Sequence, residues 1–286
     1  MKKGIFYAIM ASLVFSVMNL LVKLVSANIP SIEIVFFRSI IGSIITFMIM
    51  KQKEVKFSKG NKGLLILRGL LGAAYLVTYF YIISKMPLVD TSVLINLSPF
   101  FVIILSALVL KEKISCKTYG IIFIALIGAI ITINPFGYST YSAVALIGVF
   151  SALCSSGATI TIRQLSKTKN TYEIVFSFLF IATIVSIPMM WDSFVMPKPL
   201  EFFYLICIGS VSFLGQIFLT KAYTHERAPI VATARYSSIA FNVIWGLVLW
   251  SEIPNITTII GGVLIVGSCI YLILNKENEK VTTQKK

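Results

Sequence analysis

The chain has 286 residues, of which 57% are hydrophobic and only 13% are charged, and its mean hydropathy is +0.92. That composition cannot be shared between an apolar core and a watery surface, so a soluble fold is excluded. The net charge of +14 does not point to nucleic acid either, because the lysines and arginines sit in short loops between apolar runs rather than along one stripe.

Crossing a hydrocarbon layer takes about 20 apolar residues in a helix. The sequence supplies such runs at residues 4–26, 31–50, 64–84, 88–110, 115–133, 142–162, 172–190, 200–221, 229–250 and 255–275. They are continuous rather than alternating, which predicts helices and not a barrel. Lys2 and Lys3 precede the first run, which is long and has no small-residue cleavage site, so it reads as an uncleaved span. The breaks carry turn chemistry: Asn28-Ile29-Pro30, Asn134-Pro135-Phe136-Gly137, Pro197-Lys198-Pro199 and Ile253-Pro254-Asn255. Only the polar tail 276–286 is expected to be disordered.

Basic residues orient the spans. With the N-terminus inside, nearly every loop lysine and arginine falls on the inner side, and only Lys85 and Lys198 fall outside. Both termini are then cytoplasmic. A repeat recurs at an offset of about 140: Glu33-Ile34-Val35-Phe36 returns as Glu173-Ile174-Val175-Phe176, Lys23 matches Arg163, and Glu112 matches Glu252. An odd number of spans per half makes the second half enter from the opposite side. The expected fold is therefore an all-α integral membrane protein with ten transmembrane helices in two inverted five-helix repeats, 1–136 and 137–275, followed by the tail 276–286.

Charges at bilayer depth cost about 3 kcal/mol each on insertion scales, so each carries a functional and a structural reading. Arg38 lies inside the second run and Arg235 inside the ninth. Each could line a solute path or tie down a backbone carbonyl. Lys23 and Asp90 near the outer rim suggest an ion pair, and Glu112 and Glu252 suggest caps for the next helix, with gating as the alternative. Pro99 frees a backbone carbonyl beside Asn96 and Ser98. Tyr75, Thr78 and Tyr79 share one face of the third run, and Tyr236, Asn242 and Trp245 follow in the ninth. Four separated cysteines and a single histidine, His225, offer neither a disulfide framework nor a metal site, and no catalytic constellation or cofactor motif can be assembled. An enzyme is disfavoured. The partners expected are the lipid bilayer and a small-molecule solute, with a homodimer left open.

Asn19, Lys23 and Arg38 between Phe15 and Arg38, then Met86-Pro87-Leu88 through Pro99 to Glu112, then Gly215-Gln216, Ala222-Tyr223, Ala228-Pro229, Tyr236, Glu252 and Gly261-Gly262 form an ordered set. With these motifs the chain resembles the drug/metabolite transporter superfamily, and within it the EamA family of ten-helix carriers. The run Ala74 to Tyr81 and the Tyr236 segment are most similar to the branch containing bacterial riboflavin and S-adenosylmethionine uptake carriers. The resemblance implies a transporter of the cytoplasmic membrane. Substrate-binding candidates are Arg38, Tyr75, Tyr79, Asn96, Gln216, Arg235, Tyr236, Asn242 and Trp245, with Lys23, Asp90, Glu112 and Glu252 at the rim or gate. Because Lys23, Arg38 and Arg235 face only Asp90, a cation such as S-adenosylmethionine is disfavoured. Riboflavin, stacked on tyrosine or tryptophan, ranks first. Another metabolite or amino-acid carrier, importing or exporting, is the alternative, and a structural or regulatory subunit is the alternative of a different class.

Overall fold

A computed structural model describes residues 3–58, 60–86, 88–95, 97–111, 116–133, 142–251 and part of 256–271. In chain order the helices are α1 (Lys3–Val25), α2 (Ser31–Gln52), α3 (Lys62–Lys85), α4 (Leu88–Ile95), α5 (Ser98–Val109), α6 (Cys116–Ile133), α7 (Ser142–Leu165), α8 (Thr171–Met190), α9 (Pro199–His225), α10 (Ala228–Ala234) and α11 (Ser237–Trp250). Among the described residues six helices are long and apolar enough to cross a membrane, namely α1, α2, α3, α7, α8 and α9. In lipid the backbone must satisfy its own polar groups, and a helix does so within one segment.

Side chains are distributed as lipid demands. Large apolar groups point outward, with Leu108, Leu146 and Val248 about 70% exposed, while Asn19, Arg38, Arg68 and Gln216 are buried. A soluble protein would show the reverse. The chain is a multi-pass membrane protein.

The helices pair in a pattern that repeats with the sequence offset. α1 packs on α9 as α3 packs on α7, α2 packs on α8, and α2 meets α9 as α3 meets α8. Each half closes its own helices with the same device. Lys23, at the end of α1, donates to the carbonyls of Ile83 and Met86 at the end of α3, at 3.2 and 2.7 Å. Arg163, at the end of α7, donates to the Tyr223 carbonyl at the end of α9 at 2.7 Å. These cations satisfy carbonyls that a helix end leaves without a partner.

The acids of the repeated Glu-Ile-Val-Phe string bind the opposite half. Glu33 accepts the Val195 N–H in the segment before α9 at 3.0 Å. Glu173 accepts the Ser58 hydroxyl in the segment before α3 at 2.7 Å and pairs with Lys169 at 3.0 Å. Two further elements match: Lys111 after α5 and Ser251 after α11 both adopt the left-handed conformation, with φ of 51° and 53°. In each half the span that follows the third long helix is interrupted, between α4 and α5 by the turn at Leu97 and between α10 and α11 at Arg235 and Tyr236. At the first break Pro99 lacks the N–H that would bond Ile95 four residues back. At the second, short three-residue turns replace the helical pattern: Ser238 N–H bonds the Arg235 carbonyl and Ile239 N–H bonds that of Tyr236, each at 3.0 Å.

Candidate functional site

The two broken spans face a cavity enclosed by both halves. Its walls come from α1 (Ser12, Asn19), α2 (Arg38), α3 (Arg68, Tyr75, Tyr79), the start of α5 (Ser98, Pro99), α7 (Ser155, Thr159), α8 (Phe178), α9 (Gln216), and the second break with α11 (Arg235, Asn242). Its volume is about 50 Å³, which holds a few waters and no metabolite.

Three guanidinium groups dominate the electrostatics. Arg38 is 1% exposed and Arg68 is 4% exposed. Phe178 lies between them, its ring centroid 5.7 Å from the Arg38 guanidinium carbon and 4.1 Å from that of Arg68. Arg38 also faces Phe80 at 5.8 Å. Such contacts attract a guanidinium to the ring electrostatically. Arg68 Nη2 donates to Gln216 Oε1 at 3.2 Å, which joins α3 to α9. Among the described residues, Nε and Nη1 of Arg38 and Nε of Arg68 meet no protein acceptor, and neither does the Ser98 hydroxyl. None of the described lining residues is an aspartate or glutamate.

Of the residues singled out from sequence, Arg38, Tyr75, Tyr79, Gln216, Arg235 and Asn242 line this cavity. Tyr236 and Trp245 do not. Tyr236 is fully buried and is not among the described lining residues, and Trp245 Nε1 donates to Ser16 Oγ at 3.0 Å, tying α11 to α1. Lys23, expected at a rim or gate, is the carbonyl clamp described above. Asn96, Glu112 and Glu252 lie outside the described residues, as does the Asp90 side chain.

Arg68, not among the candidates the sequence singles out, faces the cavity from inside α3. The signal for it was local. Leu-Leu-Ile-Leu precedes it and Gly-Leu-Leu-Gly follows, so it sits within an apolar run rather than at its edge. Phe178 was missed because a phenylalanine in an apolar run carries no mark of its neighbours. The expected use of tyrosines as a flavin platform also meets an obstacle. Tyr75 and Tyr79 stack on each other, with centroids 5.3 Å apart and planes at 16°. Thr78, expected on the same face, bonds back to the carbonyl of Ala74 at 2.8 Å.

Comparison with known proteins agrees with this architecture. The pattern of the EamA-like transporter family matches residues 2–134 and again 142–274. The chain belongs to the EamA-like transporter family. It is 50% identical to the pseudopaline exporter CntI of Pseudomonas aeruginosa over 97% of this chain and 98% of that protein. Similarity to the riboflavin transporter of Brucella anthropi is lower, 27% identity over 86% of this chain and 88% of that one. A crystal structure shares the fold with a TM-score of 0.76 at 17% identity, covering 94% of this chain and 97% of the other. Riboflavin uptake, the first expectation from sequence, is therefore not supported, and the broader reading of a metabolite carrier fits better.

Proposed function

We propose that the protein is a ten-span carrier of the cytoplasmic membrane, with both termini cytoplasmic, that exports a small organic metabolite of the kind handled by the pseudopaline exporter. The halves 1–136 and 137–275 are inverted relative to each other, and the tail 276–286 lies inside. The single observation that carries the reading is the 50% identity to that exporter along nearly both full lengths. The geometry supports it: a polar cavity lies between two halves at interrupted helices, which is where carriers with inverted repeats place their solute. A regulatory subunit would gain nothing from placing three arginines, two of them buried, around one cavity.

Complementation tests the proposal. A Pseudomonas aeruginosa strain lacking its own pseudopaline exporter should recover extracellular pseudopaline when this chain is expressed. Intracellular retention despite normal amounts of the chain in the membrane would overturn the export reading.

A further inference from the structure

We infer that the transported solute is an organic anion bearing at least two oxyacid groups, carboxylate or phosphate, gripped in the cavity by Arg38, Arg68 and Arg235. The inference rests on the carrier reading above and specifies its substrate class.

Three guanidiniums line a single cavity, and no described lining residue carries a negative charge. Arg38 and Arg235 lie close enough to Arg68 to repel it electrostatically. In a low-dielectric slab such a group of like charges is costly unless something negative is present for part of the working cycle. Among the described residues no acid lines the cavity to supply that partner. Nε and Nη1 of Arg38 and Nε of Arg68 are buried and donate to no acceptor among the described residues, and Arg68 spends one amino group on the neutral oxygen of Gln216. Phe178 lies against two of the three arginines, its ring centroid 5.7 Å from the guanidinium carbon of Arg38 and 4.1 Å from that of Arg68. A guanidinium edge matches two oxygens of a carboxylate or phosphate. A neutral solute would leave these donors as orphans, and a cation would add to the repulsion.

The arginines are also spread over different walls: α2, α3 and the break between α10 and α11. Three cationic side chains on one cavity are balanced more fully by a solute with two or more anionic groups than by one with a single carboxylate. Closure around such a solute would draw both halves together, because Arg38 and Arg68 belong to the first half and Arg235 to the second.

The test starts from the host that makes the solute. The gene is deleted, and metabolites in medium and cells are compared with and without the chain restored. The solute that is lost from the medium and accumulates in the cells is then characterised: mass gain on methyl esterification counts its carboxylates, and phosphorus analysis counts its phosphates. Two or more such groups are expected. A chain-dependent solute with fewer than two overturns this inference while leaving the carrier reading intact, and the absence of any chain-dependent solute overturns both.

In the same assay Arg38→Gln and Arg68→Gln should each lower export about tenfold or more, as expected for lost charge-assisted hydrogen bonds. Arg38→Lys should retain an intermediate rate. Yield of monodisperse protein in detergent separates this loss from misfolding. Wild-type export by both glutamine variants would also refute the assignment.

Discussion

Gly72 sits where packing and solute binding meet, and Gly72→Ala tests whether they are coupled. A Cβ at this position would lie 2.5 Å from Cδ2 and Cε2 of Phe178 and 2.5 Å from Nη1 of Arg68. Non-bonded heavy atoms rest at about 3.5 to 4 Å, so the ring and the guanidinium must each retreat by about 1 Å. Overpacking of this kind costs about 1 to 3 kcal/mol, and disturbing the Arg68–Phe178 contact forfeits up to about 2 kcal/mol more. Phe178 also faces Arg38, so one methyl group displaces two of the three cationic groups. Export per folded molecule should fall about tenfold, with a lowered melting temperature. Gly69→Ala is the matched control: its Cβ would strike the Ile181 side chain, and neither residue lines the cavity. It should lower the melting temperature by a similar amount and leave export per folded molecule near wild type. Wild-type export in Gly72→Ala, or equal loss in both variants, would refute the idea that Phe178 positions the arginines.

Lys23→Met removes two donations to the end of α3 and should cost about 1.5 to 3 kcal/mol of stability, seen as a lower melting temperature in detergent with unchanged solute affinity. Trp245→Phe deletes the hydrogen bond to Ser16 and should cost about 1 kcal/mol, with export altered less than twofold if the indole does not touch solute. If the halves are inverted, single cysteines at Lys56 and Met196, both exposed positions, should react with an impermeant thiol reagent from the cytoplasmic and outer faces respectively; reaction of both from one face would contradict the inversion.

Much of the fold is legible in the sequence because a bilayer imposes a length on every span, and residues such as Pro30, Pro99 and Pro197 mark where the spans stop or break. The clamp made by Lys23 could only be half read. Its spacing to Arg163 was visible, but its acceptors are backbone carbonyls, which carry no residue signature. Arg38 and Arg235 stand out as charges inside apolar runs, and the same reasoning extended inward from Lys62 would have reached Arg68. Which side chains of the ninth run face the cavity is harder to read. Asn242 and Trp245 lie three residues apart on neighbouring positions of α11, yet Asn242 lines the cavity while Trp245 reaches Ser16 on α1. The tyrosine face of α3 suggests an aromatic solute, and only the fold shows that Tyr75 and Tyr79 each cover one face of the other.

The most direct test of the central claim, that solute passes through the cavity between the halves, is accessibility of that cavity from both sides. Ser98 lines the cavity and is buried, so Ser98→Cys on a background with Cys116, Cys154, Cys207 and Cys269 replaced places one thiol there. In oriented vesicles an impermeant thiol reagent should modify it from either face, and the exported solute should slow both reactions. Modification from one face alone, or rates indifferent to solute, would contradict the account.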